Sequence, residues 1–449
     1  MIPIRLNLTE GPPLRLLLKF SLPMLIGSIF QQLYTMVDSI IVGQYEGTQA
    51  LAAVGSSYPI TLLAVAMAQG LSMGANVVIG QLFGAKRLDE TKTTITTALI
   101  GMTILGLLLG IIGEIFSEAI LQLLGTDSTV FVDACDYLKI YFIGCTFVYL
   151  FNTLNGIFSA LGDTKTPTIA LALSTVLNIG LDLLFVIHYG WGVVGVAWAT
   201  TIANGFSALY TMIVLLKKLP EMGTKQKPPL FTKQAALRIA KLGLPSMFQQ
   251  SFMALSITTV QGLVNSYGDL YVAGYTAGTK FDNLAVSANV VFSSASATFT
   301  AQNIGAQKPE RVKDGYRCLL ILTTVYSVVI ATIIYIFTPE LLSLFLTEGE
   351  SNPAMIYGVE YIRVVSVFYP LMGCFFVTGG LLRGCGKISQ FISSSMTNMI
   401  LRVVFAYTLT TQLAELSIAV AIPLGWMVGM CISAFHFSRI KWNTLQAEK

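Results

Sequence analysis

The chain has 449 residues, 54% of them hydrophobic and only 11% charged, with a formal net charge of +4. An ordinary soluble domain carries about 25% charged residues, so this chain cannot clothe the surface of a soluble fold of its size, and a mean hydropathy of +0.71 points to long apolar stretches. A soluble enzyme, a disordered chain, a nucleic-acid binder and a secreted disulfide scaffold are excluded together, since the six cysteines form no C-x-x-C pair, and what remains is a polytopic membrane protein.

Met1 to Glu10 is polar and leads through Pro12-Pro13 into an apolar run without a small-residue cleavage pattern. The first helix is therefore expected to be retained, with no signal peptide. Each bilayer crossing takes about 20 mostly apolar residues, and lipid admits only helices or closed barrels. The runs here are too long for barrel strands. Twelve spans are expected: Leu14–Val42, Ala50–Ile79, Thr94–Ile115, Phe131–Ala160, Thr166–His188, Gly192–Leu216, Ala235–Val264, Leu270–Thr300, Gly315–Phe337, Met355–Leu382, Ser389–Thr410 and Leu416–Ser438.

Charge orients them. Sorting the 27 Lys and Arg by loop places 23 on one side, and the other four (Lys139, Lys280, Arg363, Arg402) fall within helices. Lys and Arg favour cytoplasmic loops, so both termini are expected in the cytoplasm of a multi-pass protein of the plasma membrane. A single missed helix would have scrambled the charge sides downstream of it.

The chain repeats itself. Lys19-Phe-Ser-Leu-Pro23 recurs as Lys241-Leu-Gly-Leu-Pro245 and Gly162-Asp-Thr-Lys165 as Gly384-Cys-Gly-Lys387, both at an offset of 222; Gly84-Ala85 recurs as Gly305-Ala306 at 221. The expected fold is an all-α integral membrane protein of twelve transmembrane helices in two six-helix lobes. Six is even, so the copies insert alike and a pseudo-twofold axis along the membrane normal should relate them. The lobes are expected at 1–217 and 235–449, with a basic cytoplasmic linker at 218–234.

The copies differ where it matters. Asp38 of helix 1 corresponds to Val260, Asn178 and Asp182 of helix 5 to Ile400 and Val404, and Thr200 of helix 6 to Ile422. Asn178 and Asp182, four apart, share a helix face. Asp38 and Asp182 each lie five or six residues before the outer end of an outward-running helix, so they can meet at one depth. A carboxylate inside a helix bundle costs about 2.5–3.5 kcal/mol and is protonated, ion-bound or turned to a wet cavity. Two carboxylates with an amide oxygen and a hydroxyl supply hard oxygen ligands for a small cation such as Na⁺, or a low-dielectric pair able to share a proton. The competing reading is that they pin helices together by interhelical hydrogen bonds.

Other polar residues are candidates for a substrate cavity: Gln31, Gln32, Tyr34 and Thr35 on helix 1, Asn152 and Asn155 on helix 4, Gln249 on helix 7, and Lys280 with Asp282 on helix 8. Interhelical glue is the alternative for each. Lys280 and Asp282, two apart, do not face each other, and Arg402 is a possible partner for Asp282. Pro23 removes a hydrogen bond inside helix 1 and permits a bend that would move Asp38. His188 and His436 stand far apart, and no G-x-x-x-x-G-K-[ST] motif is present, so neither a metal enzyme nor an ATP-driven pump is indicated.

The words Phe20-Ser-Leu-Pro23, Val37-Asp38-Ser39-Ile40-Ile41-Val42-Gly43, Gly156 through Lys165, Asn178-x-x-x-Asp182 and Gly195-x-Ala197-x-Ala199-Thr200 resemble those of the multidrug and toxic compound extrusion (MATE) transporters, in particular their prokaryotic DinF-like branch. The resemblance covers nearly the whole chain. It implies a secondary active antiporter that exports bulky amphipathic or cationic compounds in exchange for H⁺ or Na⁺ by alternating access, with no cofactor and no obligate protein partner, functional as a monomer. By position it makes Asp38, Asn178, Asp182 and Thr200 the cation site. The alternative is a flippase of lipids or lipid-linked oligosaccharides from the same superfamily, which would line its cavity with several cations.

Overall fold

A computed structural model describes residues 6–41, 45–222, 229–346 and 353–442. Long helices account for most of it: α1 (Pro13–Ile41), α2 (Gly47–Gly84), α3 (Leu88–Leu123), α4 (Phe131–Ala160), α5 (Lys165–Asp182), α6 (Gly192–Lys218), α7 (Lys233–Ser266), α8 (Asp269–Gly305) and α9 (Pro309–Ile336), then the short α10 (Thr338–Ser343), α11 (Pro353–Ser366), α12 (Tyr369–Gly384), α13 (Ile388–Thr408), the short α14 (Thr410–Leu413) and α15 (Leu416–Ser438). Among the described residues, nine helices are each long and apolar enough to cross a membrane. The expected span Met355–Leu382 is instead a pair, α11 and α12, bent by 51° at a short break. Pro370, in the first turn of α12, explains it: proline lacks the N–H that would continue the α11 ladder but suits a helix start. Counted as one, the pair is a tenth span. The two remaining expected spans are α7 and α13, whose polar residues (Arg238, Lys241, Gln249 and Gln250; Ser393 to Ser395, Asn398 and Arg402) dilute their apolar runs.

The chain falls into two compact units. Unit 1 comprises Met1–Asn7 and Leu22–Gln250, and unit 2 comprises Leu8–Ser21 and Ser251–Lys449. The divisions cut α1 two residues before Pro23 and α7 five residues after Pro245.

In unit 1, α4 is the central helix, lying against α2, α3 and α6 and contributing the fully buried Tyr149, Leu154 and Phe158. In unit 2 the corresponding set is α8 with α9, α11 and α12, and α13 lies along α15. Lipid tails are as apolar as the side chains they surround, so burial alone does not hold such helices together, and close backbone approach through small residues takes its place. Gly74 of α2 shows this. A Cβ placed there would lie 2.5 Å from the backbone nitrogen of Gly243 on α7. Ahead of α1, the Leu8 N–H donates to Gln302 Oε1 (3.3 Å), the Leu8 carbonyl accepts from Asn303 Nδ2 (3.2 Å), and the Thr9 carbonyl accepts from Lys308 Nζ (2.9 Å). These bonds fasten the start of the chain to the α8–α9 turn within unit 2.

Candidate functional site

The site in unit 1 is built on α1, α5 and α6. Thr168 Oγ1 donates to the Pro23 carbonyl at 2.9 Å, and Gly27, one turn further along α1, faces Thr168 and Leu171. The two helices therefore run the same way from a common contact. Asp38 is 15 residues beyond Pro23 and Asp182 is 14 beyond Thr168, a rise of about 22 and about 21 Å at 1.5 Å per residue. At that rise, with the axes parallel, their backbones come to about the same level. The side chains of Asp38 and Thr35 lie outside the described residues.

On α5 the spacing of Thr175, Asn178 and Asp182 makes one polar stripe, and all three are buried, Asn178 and Asp182 completely. Neither amide atom of Asn178 has a hydrogen-bond partner among the described residues. Asp182 is the last α-helical residue: from Leu183 to His188 the backbone takes a π-helical turn, in which the Tyr189 N–H reaches back five residues to the Leu184 carbonyl (3.0 Å). Such turns insert a residue and re-aim the side chains around them. The Phe185 and Trp191 rings stack at 4.9 Å across the reversal into α6. On α6, Thr200 is buried, and its Oγ1 accepts a hydrogen bond from the Tyr34 hydroxyl at 3.0 Å. That bond ties α1, one turn before Asp38, to α6.

The other candidates scatter. Gln31 and Gln32 are exposed on α1. Asn152 donates to the Val148 carbonyl of its own helix (2.9 Å), and its carbonyl accepts from Ser72 (2.6 Å). Asn155 is partly buried and Gln249 is buried. Lys280, exposed, and Asp282, partly buried, belong to unit 2. The structure thus sets Tyr34, Asn178, Asp182 and Thr200 on adjoining helices of one unit and leaves Lys280 and Asp282 in the other.

Two features of unit 1 escaped the sequence reading. Gly70-x-x-x-Gly74 is a close-contact motif written plainly in α2, and both glycines meet the first half of α7. Asp163, in the turn after α4, accepts from the Thr166 N–H (3.1 Å) and hydroxyl (2.7 Å) and pairs with Lys218 at the end of α6. Burial pushes its carboxyl up, but the hydrogen bonds from Lys218 and Thr166 outweigh this and hold it below the ordinary carboxylate range. Nothing in the sequence announces a partner 55 residues away.

The MatE family model matches residues 23–184 and, a second time, 245–408. The chain belongs to the MatE family. The two matches begin 222 residues apart, so the internal repeat is the family's own. This MATE chain is 28% identical over 442 residues to the probable multidrug resistance protein YpnP of Bacillus subtilis, covering 98% of each chain. It is 26% identical over 379 residues to the FAD transporter of Shewanella oneidensis, covering 82% of each. A MATE solved in complex with MaL6 superimposes with a TM-score of 0.89 at 25% identity, over 98% of both chains. The protein is accordingly a multi-pass membrane transporter of the multidrug efflux family and not an enzyme, with the twelve-helix, two-lobe fold of the MATE proteins.

Proposed function

We propose that this MATE protein is a secondary active antiporter that expels bulky amphipathic or cationic compounds in exchange for H⁺ or Na⁺, with Asp38, Asn178, Asp182 and Thr200 as the coupling-ion site. The observation that carries the reading is the fully buried Asn178–Asp182 pair on the face of α5, level with Asp38 on α1. A buried amide with no partner among the described residues, as Asn178 is, carries a cost of about 1–3 kcal/mol that a bound ion or its water removes. The donor set is oxygen throughout, which suits a small hard cation or a shared proton.

Coupling follows from opposed preferences. An ion that binds between α1 and α5 favours the arrangement in which these helices close on it. A substrate that favours the other arrangement expels the ion, and the effect is reciprocal by thermodynamic necessity. Tyr34, bonded to Thr200, links the ion site to the residues Gln31 and Gln32 on the same helix, and Pro23 permits α1 to bend at its base.

The test is efflux from proteoliposomes under separately imposed Na⁺ and pH gradients, with ethidium and FAD as the two substrates. The multidrug name of the Bacillus relative favours the cationic dye, and the name of the Shewanella relative makes FAD the informative comparison. Ethidium efflux driven by one ion gradient, and lost in both Asp38→Asn and Asp182→Asn, is the expected result. Undiminished efflux in both variants would overturn the coupling site.

A further inference from the structure

Unit 2 carries a basic and aromatic cluster where α9 begins and α15 ends. The Lys313 ammonium lies over the Trp442 ring, 5.5 Å from its centroid. The Phe437 ring meets Trp442 edge-on at 5.8 Å and Tyr316 at 4.8 Å, and the Tyr316 hydroxyl shares a hydrogen bond with Thr378 of α12 at 2.9 Å. The Arg439 guanidinium stands over the Phe435 ring at 4.2 Å. Arg317 follows Lys313 by four residues and so shares its side of α9, and Lys441 directly precedes Trp442. Tyr316 is buried, whereas Arg317, Arg439 and Lys441 are exposed. Interlocked rings therefore fix a ledge of cations at the joined ends of two helices. The acidic neighbours on α9 are Glu310, which accepts from Lys313 at 2.8 Å, and the exposed Asp314. An exposed ion pair of this kind is weak, and the Lys313 ammonium has further protons to donate.

Two further observations point to a ligand at the membrane surface. The first is depth. α9 runs for 28 residues, about 42 Å at 1.5 Å per residue, against a hydrocarbon core of about 30 Å. The excess leaves about one turn at each end in the headgroup layer, a level that Trp favours and that Trp442 marks. Lys313 falls at it, and Arg317, one turn deeper, reaches back to it along its own stem. The second is asymmetry. At offset 221, which aligns the two Gly-Ala words, Lys313 repeats Lys92, but Tyr316 and Arg317 stand opposite Ile95 and Thr96; at offset 222, Phe437 and Trp442 stand opposite Leu215 and Pro220. A general excess of positive charge on one side of the membrane would mark both halves and would not require the rings.

We propose that the joined ends of α9 and α15 bind the headgroup of an anionic phospholipid, with Lys313, Arg317, Arg439 and Lys441 around its phosphate and Trp442 beneath it. The positive-inside tendency places this end in the cytoplasmic leaflet, where basic pockets between helices take up anionic headgroups. Guanidinium groups match phosphate oxygens two at a time, and ammonium groups add point charge. The acyl chains run beside α15 past the exposed Phe435. The assignment does not depend on the antiport reading.

The test is native mass spectrometry of the full chain in mild detergent with phosphatidylglycerol, and with phosphatidylcholine as the uncharged comparison. The wild type should retain phosphatidylglycerol severalfold better than phosphatidylcholine. Arg317→Gln combined with Arg439→Gln, both at exposed positions, should remove most of that preference. Arg87→Gln combined with Lys217→Gln, an equal loss of charge in unit 1, should leave it unchanged. Trp442→Leu should weaken it without any change in charge. As a readout of folding and binding together, phosphatidylglycerol should raise the melting temperature of the wild type and not that of the Arg317–Arg439 variant. Equal retention of the two lipids, or equal losses from the two pairs of charge variants, would overturn the proposal and leave only a diffuse attraction to a charged leaflet. Displacement of the lipid by millimolar inorganic phosphate would overturn it in favour of a free-anion site.

Discussion

At the scale of single residues, two hydrogen bonds in unit 1 make different predictions. Tyr34 to Thr200 is a neutral bond at 3.0 Å, and such bonds are worth about 1 kcal/mol net. Tyr34→Phe keeps the ring in place, so the chain should insert and fold normally. It loses a tether between α1 and α6 beside the proposed ion site, which should raise the ion concentration for half-maximal efflux severalfold with little change at saturation. A change in maximal rate alone would place Tyr34 on the substrate side instead. Asp163 acts on stability. Its carboxyl is held low in the folded chain by Lys218 and Thr166 against the opposing pull of burial, whereas in the unfolded chain it titrates near the usual value of about 3.9. Stabilisation from a lowered carboxyl is fully present above that unfolded value and is lost as pH falls through the folded one. Thermal unfolding in detergent should therefore show an acid-side loss of stability that Asp163→Asn flattens. The same variant should cost about 1–3 kcal/mol at neutral pH by stranding Lys218.

At the scale of helices, the crossing of α2 and α7 rests on a missing side chain. Gly74→Ala would put a Cβ 2.5 Å from the Gly243 nitrogen, and backbone cannot yield as a side-chain tip can, whereas Gly243→Ala would meet the Leu71 carbonyl at the more tolerable 3.2 Å. Overpacking of this kind costs about 1–3 kcal/mol, so Gly74→Ala should lower the melting temperature distinctly more than Gly243→Ala. Equal melting temperatures would mean that the crossing is looser than the geometry shows. The helices themselves were largely legible in the sequence because apolar runs and charged loops are local patterns. The departures from it are instructive. The α11–α12 break follows from Pro370, yet proline is equally at home in the uninterrupted α2, where Pro59 lies within the helix, so residue type alone does not distinguish a kink from a break. The π turn after Asp182 leaves no composition signal at all. It depends on how Phe185, Trp191 and Gly195 meet at the reversal into α6.

At the scale of the whole molecule, periodicity exposes the repeat, because 222 residues separate both the matching words and the two family matches. The division of α1 and α7 between the units is invisible to such arithmetic, since it is a property of contacts and not of sequence words. The candidate site was legible for a related reason: a repeat sets each polar residue against an apolar twin, so Asn178 beside Ile400 and Asp182 beside Val404 stand out without a structure. Tyr34, which the sequence marks only as a candidate cavity residue, needed the structure to reveal its bond to Thr200. Orientation remains a prediction from charge, and it can be checked independently of transport. Lys86 and Arg87 lie between α2 and α3, and Lys308 lies between α8 and α9 with Arg311 in the first turn of α9, so the positive-inside tendency places the α2–α3 and α8–α9 turns in the cytoplasm and the segments holding Thr126 and Thr410 outside. In a background with the six native cysteines replaced, single cysteines at Thr126 and Thr410 should react with a membrane-impermeant maleimide in intact cells. Cysteines at Lys86 and Lys308 should react only after permeabilisation. The inverse pattern would turn the protein over, and with it the direction in which Asp38 and Asp182 are reached; labelling at all four sites in intact cells would contradict the odd count of spans between Lys86 and Thr126 and between Lys308 and Thr410.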